Sequence, residues 1–380
     1  MVNLYQVRQW YAPLRELQKR WPVVIFSRNA GTTRRLLEEA GIPIAFVRRT
    51  DELERTLADQ DIRIVLYVNQ NTQNFQMMRY GHVWHVFVNH GESDKAYMTT
   101  NQLKTYDYCL IAGDQARARL GRALWDVDFD KRMIPIGRPQ ADYFGENAPF
   151  EPDDRTVVLY GPTWEGDRDW ARYGSIGSHG LGLIEALVAT GRHRVVYRPH
   201  PRSGVSDADY RATHLAIVDR LERANREDPG AQHVYDAGSE LGWQLRVPDV
   251  AILDISAMIY DRLSVGKPLL VTRPVNPHVA IDEEGYLGDA DWLTAGEVPD
   301  IVARIDTMLA DAGAAEKLAH WSRRYFGDTT QGAATARFEG AIERLMTEWD
   351  RWDAMSEQAA IEAADEQAAL DAAIDRTAAE

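Results

Sequence analysis

Short apolar runs rich in β-branched residues recur at 23–26, 42–47, 62–68, 83–88, 108–112 and 133–137. Helix-length or polar segments separate them, and strands alternating with helices at this spacing predict a parallel, doubly wound sheet. The alternation restarts at 156–160, 194–198, 249–255 and 269–272, with helices expected at 181–190, 207–226 and 256–265. Between the two series lies 138–155, rich in proline, glycine and acid, which reads as an interdomain connection. The predicted architecture is therefore α/β, with two Rossmann-like domains facing one another across a cleft.

A chain of 380 residues is too long for one ordinary core. The division expected is an amphipathic helix over 1–21, an N-terminal Rossmann-like domain over 22–145, a C-terminal Rossmann-like domain over 146–340 and an acidic helical tail over 341–380. The first segment mixes Tyr5, Trp10, Tyr11 and Trp21 with Arg8, Arg15, Lys19 and Arg20. Such a helix either lies on an anionic membrane surface or packs on its own domain. In the tail, Ile342, Leu345, Met346, Trp349 and Trp352 fall at helical spacing and are expected to dock, whereas the Ala- and Glu-rich stretch beyond Glu357 is expected in solvent.

Composition excludes some functions. A formal net charge of -15 argues against a general nucleic-acid binder, since affinity for a polyanion rests on Lys and Arg contacts. Cys109 is the single cysteine and cannot form an internal disulfide, so a buried thiol in a reducing compartment is expected. No apolar run is long enough to span a bilayer, and the first thirty residues lack a signal-peptide pattern. The expectation is a cytoplasmic protein, with peripheral contact on the inner membrane face left open.

Four clusters fall at expected strand ends, the edge where open α/β sheets bind ligands. Asn89-His90-Gly91-Glu92 follows the run 83–88; His90 can exchange a proton near neutral pH, and Gly91 allows a tight turn and close ligand approach. Gly161-Pro162-Thr163-Trp164 offers a sharp turn and a hydroxyl. Arg198-Pro199-His200-Pro201 places a cation and an imidazole beside the cleft. At Asp254-Ile255-Ser256-Ala257 a strand runs into a helix start, whose N–H groups and Ser256 hydroxyl can cradle a phosphate. Each also has a bland reading: a turn histidine, Gly-Pro punctuation, a rigid loop, and Ser256 as an N-cap only. Together they supply one imidazole from the first domain and an imidazole, a guanidinium and a helix N-terminus from the second, the groups that a phosphate-bearing ligand requires.

Other signals carry less. Asp126-Val127-Asp128 lies after a helix among further acids, and His82, His85 and His90 are wrongly phased for one strand face, so no metal site is expected. Gly174, Gly177 and Gly180 lack a strand directly before them, and no Gly-Lys-Ser/Thr phosphate loop exists.

The residues resemble the CDP-glycerol glycerophosphotransferase family of teichoic-acid primases and polymerases. The similarity lies in Gln73-Asn74-Phe75, Asn89 to Lys95, Asn101-Gln102-Leu103-Lys104, Tyr106-Asp107, Gly161 to Trp164, Arg198 to Pro201, and Asp254 through Asp261 to Gly266-Lys267-Pro268. It spans roughly residues 20 to 330. The resemblance implies a glycosyltransferase-B-like fold, with the acceptor on the first domain, 22–145, and the nucleotide on the second, 146–340. It also implies transfer of glycerol phosphate from CDP-glycerol to a hydroxyl on a lipid-linked or glycan acceptor, with release of CMP. It implies His90 as general base, Arg198 and His200 as stabilisers of diphosphate charge, Ser256 as a phosphate ligand, and Asp254, Asp261, Thr163, Gly91 and Lys95 as nucleotide or substrate contacts. No cofactor and no essential metal are implied. Ala257 departs from the family, where a second hydroxyl residue is common, and the acidic balance is unusual for members that reach a membrane-bound acceptor. A sugar-nucleotide glycosyltransferase, an epimerase-like enzyme and a non-catalytic nucleotide-binding scaffold are the alternatives.

Overall fold

The computed structural model describes residues 4–92, 96–238 and 240–378. Its N-terminal part runs α1 (Leu4–Arg8), α2 (Tyr11–Leu17), β1 (Ile25–Ser27), α3 (Ala30–Glu39), β2 (Ile44–Phe46), α4 (Thr50–Asp59), β3 (Ile64–Tyr67), β4 (Trp84–Phe87), β5 (Tyr108–Ile111), α5 (Asp114–Ala123), α6 (Phe129–Arg132) and β6 (Met133–Pro135). All pairings are parallel, in a four-stranded sheet of order β3-β4-β5-β6 and a separate pair β1-β2. The pair joins the larger sheet through side chains, since Ile25 and Ile44 pack on the same core as Ile64 and Leu66. Pro135, which lacks an N–H, is tolerated because β6 is an edge strand.

The second part runs β7 (Thr156–Gly161), α7 (Leu181–Val188), β8 (His193–Tyr197), α8 (Ala208–Glu227), β9 (Val234–Tyr235), α9 (Trp243–Arg246), β10 (Val250–Leu253), α10 (Ala257–Ser264), β11 (Leu269–Thr272), β12 (Trp292–Leu293), α11 (Ile301–Ala310), α12 (Ala312–Phe326) and α13 (Ala333–Ala378). Its parallel six-stranded sheet has the order β12-β11-β10-β7-β8-β9. The edge strands β9 and β12 are two residues each, too short to read as apolar runs.

The helix expected over 1–21 is two helices, α1 and α2. Pro13 has no N–H for the carbonyl of Gln9, and its ring would clash there, so a continuous helix is broken. The break turns Trp10 inward, where it is 1% exposed and its ring lies 5.3 Å from Phe338. Leu14 and Leu17 join that core. Arg8 bonds Glu39 at 2.8 Å, and Arg15 donates to Ala40 O at 2.7 Å, where α3 ends. The apolar face that could have met a membrane is thus packed on the protein's own domain; Tyr5 is its exposed aromatic, at 52%.

The expected tail boundary at 341 falls inside a helix. α13 begins at Ala333, and Phe338, Ala341, Ile342 and Leu345 close the N-terminal core, so the chain returns from the second domain to cover the first. From 354 to 368 every described side chain is exposed. No described helix is long and apolar enough to cross a membrane.

Candidate active site

In the second sheet β7 lies beside β10, and the chain proceeds to β8 on one side and to β11 on the other. This reversal is a switch point, and the crevice beyond its strand ends is where such sheets take ligands. The loops after β7 and β10 carry Gly161 to Trp164 and Asp254 to Ala257, so two of the sequence clusters meet there.

Asp254 joins them. Its carboxylate accepts from Thr163 N at 2.7 Å, Ser175 N at 3.0 Å and Thr272 Oγ1 at 2.5 Å. Full burial pushes its pKa up to about 6, against those donors. Asp254, expected as a contact residue, is 0% exposed and ties the loop after β7 to β11 from beneath the crevice. Thr163 is further held by Tyr210, whose hydroxyl donates to Thr163 O at 2.7 Å. Ser256 is the N-cap of α10, its Oγ accepting from Met258 N at 3.3 Å. Ile259 N donates to Ser256 O at 3.3 Å, so the groups left at the helix start are the Ser256 hydroxyl proton and the Ala257 N–H.

At the next strand end, Arg198 pairs with Asp236 and donates to Gly238 O at 3.2 Å. Its charge is partly compensated, and it anchors the loop after β9. His200 is exposed, beside Trp164 at 6.5 Å between ring centroids, and Arg202 lies over the same Trp164 ring at 3.8 Å. The His200 Nδ1 accepts from Arg202 N at 3.1 Å, so a neutral ring carries its proton on Nε2 and can donate it to an anionic oxygen.

In the first domain the chain leaves β4 through Asn89, whose φ of 56° is left-handed. Asparagine tolerates that conformation, and its Nδ2 donates to Gly91 O at 2.7 Å. The tight turn expected of Gly91 is thus made by Asn89; a Cβ on Gly91 would meet Arg138 only at an ordinary 3.6 Å. His90 Nδ1 lies 3.1 Å from Val68 O, which fixes the proton on that nitrogen and leaves the Nε2 lone pair as the basic site. Gln6 Nε2 lies 3.2 Å from that nitrogen, and the Tyr5 ring meets the imidazole edge-on at 5.9 Å. Burial, reinforced by the Arg138 charge and opposed by the Val68 bond, lowers the His90 pKa to about 4. Beyond the turn, Glu92 and Arg119 form a buried ion pair. Lys95 lies outside the described residues.

Arg138 connects the two halves of the site. Its Nη1 donates to His90 O at 2.8 Å, and its Nη2 reaches Gln9 Oε1 at 3.0 Å and Asp261 Oδ1 at 2.7 Å. Asp261 lies on α10, in the other domain. Both side chains are 7% exposed, so Asp261, expected to touch nucleotide, has its carboxylate buried in an interdomain bridge. Gly137 makes the bridge possible: its φ is 76°, and a Cβ there would stand 2.9 Å from Phe326 O. Behind the turn is a cavity of about 50 Å³ into which Asn89, Gly91, Arg138 and Gln140 face. Arg138, Gln6 and Gln9 escaped the sequence reading. Arg138 sits in the stretch read as linker, although it follows an expected strand by one residue, as a cation at a strand end should have signalled.

Among the described residues no His, Cys, Asp and Glu side chains gather as a metal site. Burial pushes the Cys109 thiol up to about 12, as suits an inert core cysteine.

Two α/β domains on parallel sheets, tied together by Arg138 and Asp261, form the glycosyltransferase-B fold. The wall teichoic acid polymerase TagF shares it, with TM-score 0.58 and 14% identity over 89% of this chain and 85% of that one. A Listeria monocytogenes protein assigned as a UDP-N-acetylglucosamine 2-epimerase gives TM-score 0.59 and 14% identity over 90% and 94%. A further UDP-N-acetylglucosamine 2-epimerase gives 0.54 and 13% over 88% and 91%. No family model and no curated protein matches the chain.

Proposed function

We propose that this chain transfers glycerol phosphate, or a related polyol phosphate, from a CDP-activated donor to a hydroxyl of a lipid-linked or glycan acceptor of the cell envelope, releasing CMP. One observation carries the reading: the turn bearing His90, with its basic nitrogen defined by the Val68 bond, is tied through Arg138 to the helix whose N-terminus opens at the switch point. A base and a phosphate cradle are thereby held in one frame. The likeness to TagF supports this donor class.

In the proposed reaction the acceptor hydroxyl replaces Gln6 at His90 Nε2. As that nitrogen takes the proton, the acceptor oxygen attacks the phosphorus bearing the glycerol. The bond from that phosphorus to the bridging oxygen breaks, and CMP leaves with the electron pair. The Ala257 N–H at the start of α10, the Ser256 hydroxyl, the His200 Nε2–H and Arg198 meet the charge on the phosphate oxygens. A His90 that is neutral at pH 7 needs no prior proton loss. The proposed setting is the inner face of the membrane, where a lipid-linked acceptor is presented.

A UDP-sugar enzyme is the second reading, favoured by the equal likeness to the epimerases. The purified protein is given CDP-glycerol, CDP-ribitol and UDP-sugars in parallel, with a lipid-linked acceptor mimic. Acceptor-stimulated CMP release is expected. Turnover of a UDP-sugar with silence toward both CDP-polyols refutes the donor assignment.

A further inference from the structure

The bridge between Arg138 and Asp261 bears on how the site is assembled, and the inference from it rests on reading His90 as the base. α10 has two functional ends in this fold. Its N-cap, Ser256, opens onto the switch-point crevice, and Asp261, five residues on, lies about 8 Å further along the axis. At that second position Asp261 holds Arg138, and Arg138 holds the backbone carbonyl of His90. Its third contact, Gln9, comes from the turn between α1 and α2, adjoining the helix that places Gln6 on the imidazole. Each of these groups is a hydrogen-bonding partner of one side chain that is almost wholly buried, and a guanidinium's planar fork fixes direction as well as distance. A chain that needed only to close two domains could do so with apolar residues, which replace a buried ion pair at little or no loss of stability. What apolar residues cannot supply is a donor to His90 O.

We propose that Arg138 is a positioning residue that registers the His90 turn on α10, with Asp261 as its anchor, so that the base and the phosphate-binding helix end keep a fixed separation. Asp261 acts through Arg138 and not on the nucleotide.

The test compares three variants, Asp261→Asn, Arg138→Lys and the double Arg138→Met/Asp261→Leu, for stability, CMP affinity, kcat and KM, and the NMR shifts of the His90 ring without ligand. The double variant removes the buried charges together and is expected to fold. Expected are unchanged CMP affinity, a kcat loss of about 100-fold from a displaced base, and moved His90 resonances in all three variants. A merely structural bridge would give a different result, with the double variant recovering kcat along with stability. That recovery overturns the proposal, as does weaker CMP binding in Asp261→Asn with the His90 resonances unmoved. If the parent protein itself releases no CMP, the functional reading fails, and the ring shifts and CMP affinity still decide the role of Arg138.

Discussion

Gln6 Nε2 stands 3.2 Å from His90 Nε2, so a side chain from the first helix covers the nitrogen that would accept a proton. Since His90 Nδ1 is committed to Val68 O, the amide of Gln6 must be the donor and the imidazole the acceptor. Gln6 is itself held, because its Oε1 accepts from Asn69 Nδ2 at 3.0 Å. A donor to the bare nitrogen favours the neutral ring. In Gln6→Leu that support is lost, and His90 should titrate at higher pH than in the parent, read from the pH dependence of its ring resonances. An unmoved midpoint would mean that the amide does not engage the imidazole in solution.

His90→Gln should abolish CMP release while CMP still binds, since the base belongs to the first domain and the phosphate cradle to the second. In the parent the acid limb of kcat/KM should follow the lowered His90 pKa. A base lowered to about 4 stays unprotonated at pH 5 to 6, where an ordinary histidine would have lost most of its activity. A limb at the ordinary histidine position would detach His90 from the chemistry.

Asp254 accepts from three donors, and for two of them, Thr163 N and Ser175 N, it is the acceptor the fold supplies. Asp254→Asn sets an amide N–H against one or more of them and should cost about 2 to 3 kcal/mol in denaturant unfolding. The pH signature is independent of that cost. Because the folded pKa is raised above the unfolded one, the folded state binds the extra proton; the contribution is full below about pH 4 and is lost as pH rises through about 6. The asparagine variant should lack that slope, and an identical slope in both proteins would show that Asp254 is not the group responsible.

Much of this was legible in the chain because period and punctuation are local. The strand ends before His90, Thr163, Arg198 and Ser256 each follow an apolar run, and a strand's end is where its turn chemistry begins. What could not be read is which strand ends meet, since that depends on strand order. That Asp254 bridges the loops after β7 and β10 follows from those strands being neighbours, and that Asp261 pairs with Arg138 brings in a residue from a segment of linker composition. The aromatic and basic content of 1–21 showed an amphipathic face but not what covers it; the covering helix lies more than 300 residues away in sequence.

α13 serves two ends differently, and that difference can be measured. Its first four turns supply Phe338 and Leu345, both 0% exposed, to a core shared with Trp10 and Leu14. Leu345→Ala should therefore cost about 2 to 5 kcal/mol, and Trp10→Ala a similar amount. Deleting residues 1–21 should destabilise the whole N-terminal domain, so lipid partitioning of such a deletion would report unfolding and not the loss of an anchor. Beyond 353 the helix lays its described side chains in water, and a chain ending there removes no core contact among the described residues. That truncation should leave the urea midpoint unchanged, whereas one ending at 332 should unfold the first domain while the six-stranded sheet, whose cores exclude α13, retains a cooperative transition. A loss of stability on removing 354–380 would mean that the exposed half of the helix packs on the body in solution.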